Sequence, residues 1–149
     1  MGISELCSRS VVVTERKTSI EEAARLMREH HVGSLVVVDE DARGRKPVGI
    51  LTDRDIAIEV VAVGVAPASV TVGEVMAPEL VTATLDDEPW QTIQRMRKKG
   101  VRRVPVVDAE GLLAGIVSVD DLLEIVSEEL DGLVKVIAAE LRREARTRS

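Results

Sequence analysis

"GILTDRD" occupies Gly49–Asp55 and "GIVSVDD" occupies Gly115–Asp121. Both read glycine, two aliphatics, a small hydroxyl, two variable residues and aspartate. They lie 66 positions apart in a chain of 149 residues. A pattern spelled twice at such a distance points to internal duplication, and the flanks extend it. Upstream the register becomes 69: "ISELC" (Ile3–Cys7) falls on "VGEVM" (Val72–Met76), and Met27-Arg28 falls on Met96-Arg97. In the same register, Val37–Asp39 falls on Val106–Asp108. The change from 69 to 66 is absorbed where "EDARGRKPV" in the first copy faces the shorter "AEGLLA" in the second. One change of register, placed in a turn, is what a duplicated fold tolerates.

Composition bounds what the two copies can build. The chain is 45% hydrophobic but has no Phe, no Tyr and a single Trp90, so Val, Ile, Leu, Ala and Met must fill the core. No apolar run approaches the ~20 residues of a membrane span, and a membrane is not an expected partner. "MGISELCSRS" lacks the basic start and apolar stretch of a secretory signal. The lone Cys7 excludes an intrachain disulfide framework. The expectation is a soluble cytoplasmic protein. A net charge of −6 argues against a broad nucleic-acid surface. Only the local basic run "RMRKKGVRR" (Arg95–Arg103) leaves a place for such contact, and nucleic acid is not an expected partner.

Each copy predicts the same order of elements. A short apolar segment, Ser10–Thr14 or Leu80–Thr84, opens as a strand. A helix follows. Thr18 and Glu21 have capping-box spacing, and Ile20, Ala23, Ala24 and Met27 form a helical stripe. In the second copy Asp87 is the candidate cap, Pro89 suits the first turn, and Ile93 and Met96 continue the stripe. Next comes a β-branched strand, "SLVVVD" or "RVPVVD", then a turn and a second strand, "VGILT" or "AGIVS". A second helix begins near the aspartate. The layout is β-α-β-β-α twice, an α/β (α+β) fold, with Val61–Val72 carrying the chain between copies.

These motifs resemble the CBS domain, and the family's tandem pair, the Bateman module, covers essentially the whole chain. The resemblance rests on "HVGSLVVVD" ahead of "GILTDRD", "VRRVPVVD" ahead of "GIVSVDD", and the "VGEVM" lead-in. It implies two similar halves about a pseudo-two-fold axis, with adenosine-containing ligands bound in clefts between them. The expected boundaries are repeat 1 at 1–66, repeat 2 at 67–128 and a C-terminal helical extension at 129–149. One half alone has too little core to stand comfortably.

The residue types of the motif suit a nucleoside, and they also suit a helix start. Glycine lets backbone approach a ligand closely. Ile50 and Ile116 are strand residues able to flank a base. Thr52 and Ser118 put a hydroxyl at a helix N-terminus, where phosphate is attracted. An ionised Asp55 or Asp121 can accept two hydrogen bonds from a ribose diol. Equally, Thr52 and Ser118 are good N-caps, and first-turn aspartates suit the helix dipole. In the family the aspartate binds ribose and the hydroxyl lies near phosphate.

The resemblance further implies that each cleft joins the motif of one copy to the early and central strands of the other. Cleft A would combine Ile116, Ser118, Asp120 and Asp121 with Ser10, Val12, Val32 and Gly33. Cleft B would combine Ile50, Thr52, Arg54 and Asp55 with Met76, Val81, Val101, Arg102 and Arg103. Lys98 and Lys99 read as a solvated helix end. Arg102 and Arg103 open a buried strand, and a planar guanidinium there suits phosphate. Gly33 and Ser34 stand at the corresponding positions of cleft A, which is therefore expected to be the poorer phosphate site.

His31 aligns with Gly100 at a helix end and reads as a C-cap; neither it nor His30 has a metal-ligand partner at useful spacing. Cys7, aligned with Met76, reads as packing. No nucleophile, zinc or phosphate-loop motif is present, so no catalytic residue, metal or required cofactor is expected. After Asp121, Val126, Leu130, Leu133, Ile137 and Leu141 predict an amphipathic helix, interrupted near Gly132 and frayed over "LRREARTRS". Trp90 aligns with Glu21 and needs cover, either from this C-terminal helix or from a second copy in a homodimer. The expected function is a regulatory module for an adenosyl ligand (AMP, ADP, ATP, S-adenosylmethionine or NAD) that signals to an effector protein in trans. The alternative is a dimeric scaffold that needs no ligand.

Overall fold

Two three-stranded sheets, assembled in the same order, organise the chain. This computed structural model describes residues 2–148; Met1 and Ser149, the outer ends of the first and last expected segments, lie outside the described residues. The first half runs α1 (Ile3–Leu6), β1 (Val13–Thr14), α2 (Ile20–His30), β2 (Ser34–Asp41), β3 (Gly44–Thr52) and α3 (Asp53–Ile56), which widens into a π-type turn over Ala57–Val61. A single 3-10 turn at Pro67–Ser69 leads to the second half. There follow α4 (Val72–Val75), β4 (Ala83–Thr84), α5 (Pro89–Lys99), β5 (Arg103–Val107), β6 (Leu113–Ser118) and α6 (Val119–Arg148). In each sheet the first strand is parallel to the second, and the second is antiparallel to the third. Even the bulges correspond, at Val37/Val38 and at Val106/Val107. The duplicated sequence has made a duplicated α/β fold.

The halves exchange their lead-in segments. Val72 of α4 is buried in the first half's core with Ile20, Leu35, Val37 and Leu51. Reciprocally, Ile3 of α1 is buried in the second half's core with Val104, Val106 and Val117. Backbone bonds fix both crossings. Val72 N–H donates to Thr18 O at 2.8 Å, and Ile3 N–H donates to Asp87 O at 3.0 Å. The opening strands are shorter than expected, Val13–Thr14 and Ala83–Thr84; Val12 O still accepts from Val36 N–H at 3.1 Å, and ahead of it Ser8 exchanges two backbone bonds with Ile116 of the other half.

The exchange also shifts the helix caps by one residue. Thr18 gives its carbonyl to Val72, and Ser19, not Thr18, caps α2 by accepting from Glu22 N–H at 3.1 Å. At α5 the cap is Glu88, boxed with Gln91, and Pro89 takes the first helical position. Asp87, the expected cap, instead accepts from Thr84 N–H and Oγ1–H and from Arg95. Both helices end on a left-handed residue, His31 (φ 55°) and Gly100 (φ 67°), as the alignment anticipates.

The buried stripe is narrower than expected. Ile20, Ala23 and Met27 face inward on α2, and Thr92 and Met96 on α5. The equivalent pair Ala24 and Ile93 both turn outward. The C-terminal region is one 30-residue helix with no interruption at Gly132 and no fraying before Arg148. A mid-helix glycine costs only about 1 kcal/mol, and Arg146 and Arg148 complement the dipole at the end. This helix does not cover Trp90, which remains 57% exposed.

Candidate ligand clefts

Each motif closes a reciprocal box at the start of its helix. Thr52 Oγ1 accepts from Asp55 N–H at 3.1 Å, and Asp55 Oδ2 accepts from Thr52 N–H at 2.9 Å. Ser118 and Asp121 repeat the arrangement at 3.2 and 2.9 Å. Helix capping therefore accounts for one acceptor of each side chain. The hydroxyl proton and the carboxylate's other oxygen retain hydrogen-bonding capacity toward the space between the halves.

The motif glycines serve the exchange rather than a ligand. A Cβ on Gly49 would lie 2.6 Å from Met76 Sδ. One on Gly115 would lie 2.6 Å from the Ser8 carbonyl oxygen and 2.9 Å from Cys7 Sγ. The close approach that requires glycine is thus made by the other half's lead-in. Cys7 is a packing residue beside Gly115.

Two clefts lie between the halves. Cleft B, ≈ 510 Å³, joins Ile50, Thr52, Arg54 and Asp55 to Val81, Val101, Arg102 and Arg103. Asp53, Ala77, Glu79, Leu80 and Gly100 complete its wall. Met76 is not part of it; its side chain lies over Gly49 and lines a neighbouring hollow with Asp55, Glu59 and Glu74. Cleft A, ≈ 290 Å³, joins Ile116, Ser118 and Asp121 to Ser10, Val12, Val32 and Gly33, with Val11, His31, Ser34 and Arg103 added. Asp120 lies outside it, exposed and 3.9 Å from Arg102.

Charge is distributed differently from the sequence expectation, which assigned the cations to cleft B alone. Arg103 lines both clefts. Arg95 is engaged by Asp87 and by Thr82 O. Lys99 donates to Glu79 at 2.6 Å and holds that carboxyl below its ordinary value through the hydrogen bond and its charge. The Arg102–Asp120 pair is exposed on both sides and weak. Arg103 makes no ion pair among the described residues. Its reach to both clefts follows from strand register: Arg103 pairs with Ser118 across β5–β6, as Ser34 pairs with Thr52 across β2–β3. That register was the available signal, because the repeat places each motif hydroxyl opposite the first residue of its preceding strand.

The two repeats match the CBS domain family over residues 3–62 and 72–128. An uncharacterized protein of Methanopyrus kandleri is 36% identical over 125 residues, covering 84% of this chain and 62% of its own length. The CBS domain-containing protein YhcV of Bacillus subtilis is 35% identical, covering 81% of this chain and 82% of its own. The solved CBS domain pair of protein MJ0100, in complex with 5'-methylthioadenosine and S-adenosyl-L-methionine, superposes with a TM-score of 0.74 at 28% identity. That match covers 87% of this chain and 98% of the other. With the duplicated sheets, the exchanged lead-ins and both family matches in agreement, the chain belongs to the CBS domain family as a tandem pair.

Proposed function

We propose that this CBS pair is a non-catalytic regulatory module that binds an adenosine-containing, phosphate-bearing ligand, chiefly in cleft B, and signals occupancy to an effector protein in trans. The observation that carries the reading is the convergence of Thr52, Asp55, Arg102 and Arg103, contributed by both halves, on one cavity of ≈ 510 Å³. That volume lies within the range of ligand pockets, and the wall mixes apolar surface with a few convergent polar groups. Ile50, Val81 and Val101 offer faces for a base. The open Asp55 oxygen suits a ribose hydroxyl, and the two guanidinium groups suit phosphate. A CBS pair solved with two adenosyl compounds supports the ligand class. No described helix is long and apolar enough to cross a membrane, and the reading puts the module in the cytoplasm.

Thermal unfolding in the presence of AMP, ADP, ATP, S-adenosylmethionine or NAD tests it. A ligand bound only by the folded state, at a hundred times its Kd, adds about 2.7 kcal/mol. The melting point of a chain this size then rises on the order of 5 °C. No shift with any of the five at millimolar concentration would favour a ligand-independent scaffold instead.

A further inference from the structure

Resting on the adenosyl reading above, we propose that the two clefts bind phosphate-bearing ligands antagonistically because they compete for Arg103. Phosphate held in cleft B leaves cleft A open only to an uncharged nucleoside. Arg103 belongs to the walls of both clefts. Its counterpart in the first repeat, Ser34, lines cleft A and is absent from cleft B. The backbone at this position thus serves the cleft formed by its own central strand, which for Arg103 is cleft B. The long side chain is what carries Arg103 into the wall of cleft A as well. Arg103 is half-buried and makes no side-chain hydrogen bond or ion pair among the described residues. A charge held partly out of water without a partner is poised for an anion.

The two walls depend on Arg103 unequally. In cleft A it is the only Lys or Arg, set against Asp121 as the only carboxylate; His31 is the remaining titratable group there. Cleft B adds Arg54 and Arg102, set against Asp53, Asp55 and Glu79, and Glu79 is already held by Lys99. Without Arg103, cleft A offers a phosphate the hydroxyls of Ser10, Ser34 and Ser118 beside a carboxylate. Cleft B still offers the guanidinium groups of Arg54 and Arg102. Loss of Arg103 therefore closes cleft A to phosphate and only weakens cleft B.

A guanidinium grips phosphate through one planar edge that carries two parallel N–H donors. Once that edge faces cleft B, cleft A keeps at most the far N–H groups, and a second phosphate there meets the charge of the first. The link is reciprocal: phosphate in cleft A weakens phosphate in cleft B by the same factor. Coupling between sites typically changes affinity by roughly 5- to 150-fold. Adenosine carries no phosphate and makes no demand on Arg103, so its binding in one cleft is indifferent to what fills the other. The pair is built to hold one phosphate-bearing and one uncharged adenosyl compound together more readily than two phosphate-bearing ones.

Calorimetric titration of the full chain at about pH 8, where an ordinary imidazole carries little charge, tests this with AMP and adenosine as probes. Asp55→Asn cripples cleft B, and the event lost in Asp121→Asn identifies cleft A. AMP should enter cleft A of Asp55→Asn roughly 5- to 150-fold more tightly than cleft A of wild type already holding AMP in cleft B. Adenosine should enter cleft A with the same affinity in both cases, which also shows that the variant is folded. In Arg103→Met, alone or with Asp55→Asn, the AMP affinity of cleft A should fall and no longer depend on cleft B. Equal AMP affinities in the first comparison, or antagonism that survives Arg103→Met, overturn the proposal and leave the adenosyl reading standing. Binding in cleft B with no event in cleft A for either probe does the same. If neither probe binds at all, the adenosyl reading falls, and the proposal with it.

Discussion

Arg103 pairs across β5–β6 with Ser118 and is part of the wall of both clefts. One arginine is thus shared by the two candidate ligand sites, with no ion pair to a carboxylate among the described residues. If it reads phosphate, Arg103→Ala should weaken AMP binding in whichever cleft is filled. A lost charge-assisted bond of about 1.5–3 kcal/mol is a loss of roughly ten- to hundred-fold in affinity. Adenosine should lose far less. Calorimetric titration with both ligands decides it: equal losses would mean that the arginine supports the strand and does not read phosphate.

The boxes allow binding to be separated from capping. In Asp55→Asn the amide oxygen can still accept from Thr52 N–H. Its amino group then stands where the ribose would meet an acceptor. The expected result is a ten- to hundred-fold loss of the main binding event with the melting temperature little changed. Asp121→Asn should leave that event intact, since cleft A is the smaller site. Titration calorimetry and thermal unfolding on both variants check this. The opposite pattern would show that cleft A is the principal site.

How far the residues alone reached is visible in particular places. The duplication gave two equivalent motifs, each with an aspartate, a hydroxyl and a strand start in fixed register; that the clefts would lie between the halves came from the family resemblance, not from the residues alone. What it missed are the contacts made when the halves exchange segments. Thr18 and Ser19 are equally plausible caps locally, and only the bond from Val72 N–H to Thr18 O separates them. Gly49 reads as a ligand-facing glycine until Met76 is seen over it. Glu79 joins cleft B through tertiary placement, without any motif, and Asp53 does so from one of the motif's two variable positions. Gly132 looked like a break because a glycine in a helix is unfavourable, but the penalty is smaller than the gain from a continuous helix.

Asp87 gives a pH signature. Its burial alone would raise its carboxyl, but bonds from Thr84 and from Arg95 outweigh this and hold it below its ordinary value near 3.8. A depressed folded value means that the charged form stabilises the fold fully above the unfolded value. The contribution is lost as pH falls through the folded one. Asp87→Asn should therefore cost about 1–2 kcal/mol at neutral pH, moderated by the half-exposed Arg95. The gap to wild type should shrink as pH drops below about 4. Denaturant unfolding at a series of pH values measures it, and a gap that stays constant into acid would refute the ion pair's role.

The exchanged lead-ins predict an asymmetry between two equivalent glycines. In Gly49→Ala the new methyl meets Met76 Sδ, the flexible part of a side chain that can swing aside. In Gly115→Ala it meets the Ser8 carbonyl oxygen, which is held by a reciprocal pair of backbone bonds with Ile116, both 2.9 Å. Cys7 Sγ closes the other side. Overpacking typically costs about 1–3 kcal/mol, so Gly49→Ala should fall at the low end and Gly115→Ala at or above the high end. At roughly 2–4 °C per kcal/mol, the second variant should melt several degrees below the first. Adding Met76→Ala should relieve the clash in Gly49→Ala, whereas Cys7→Ala should relieve little in Gly115→Ala because the backbone clash remains. Urea unfolding of the four variants tests the packing directly. If Gly49→Ala proved the more damaging substitution, the lead-in over β3 would be the more rigid of the two, contrary to the contacts that hold Ser8 on β6.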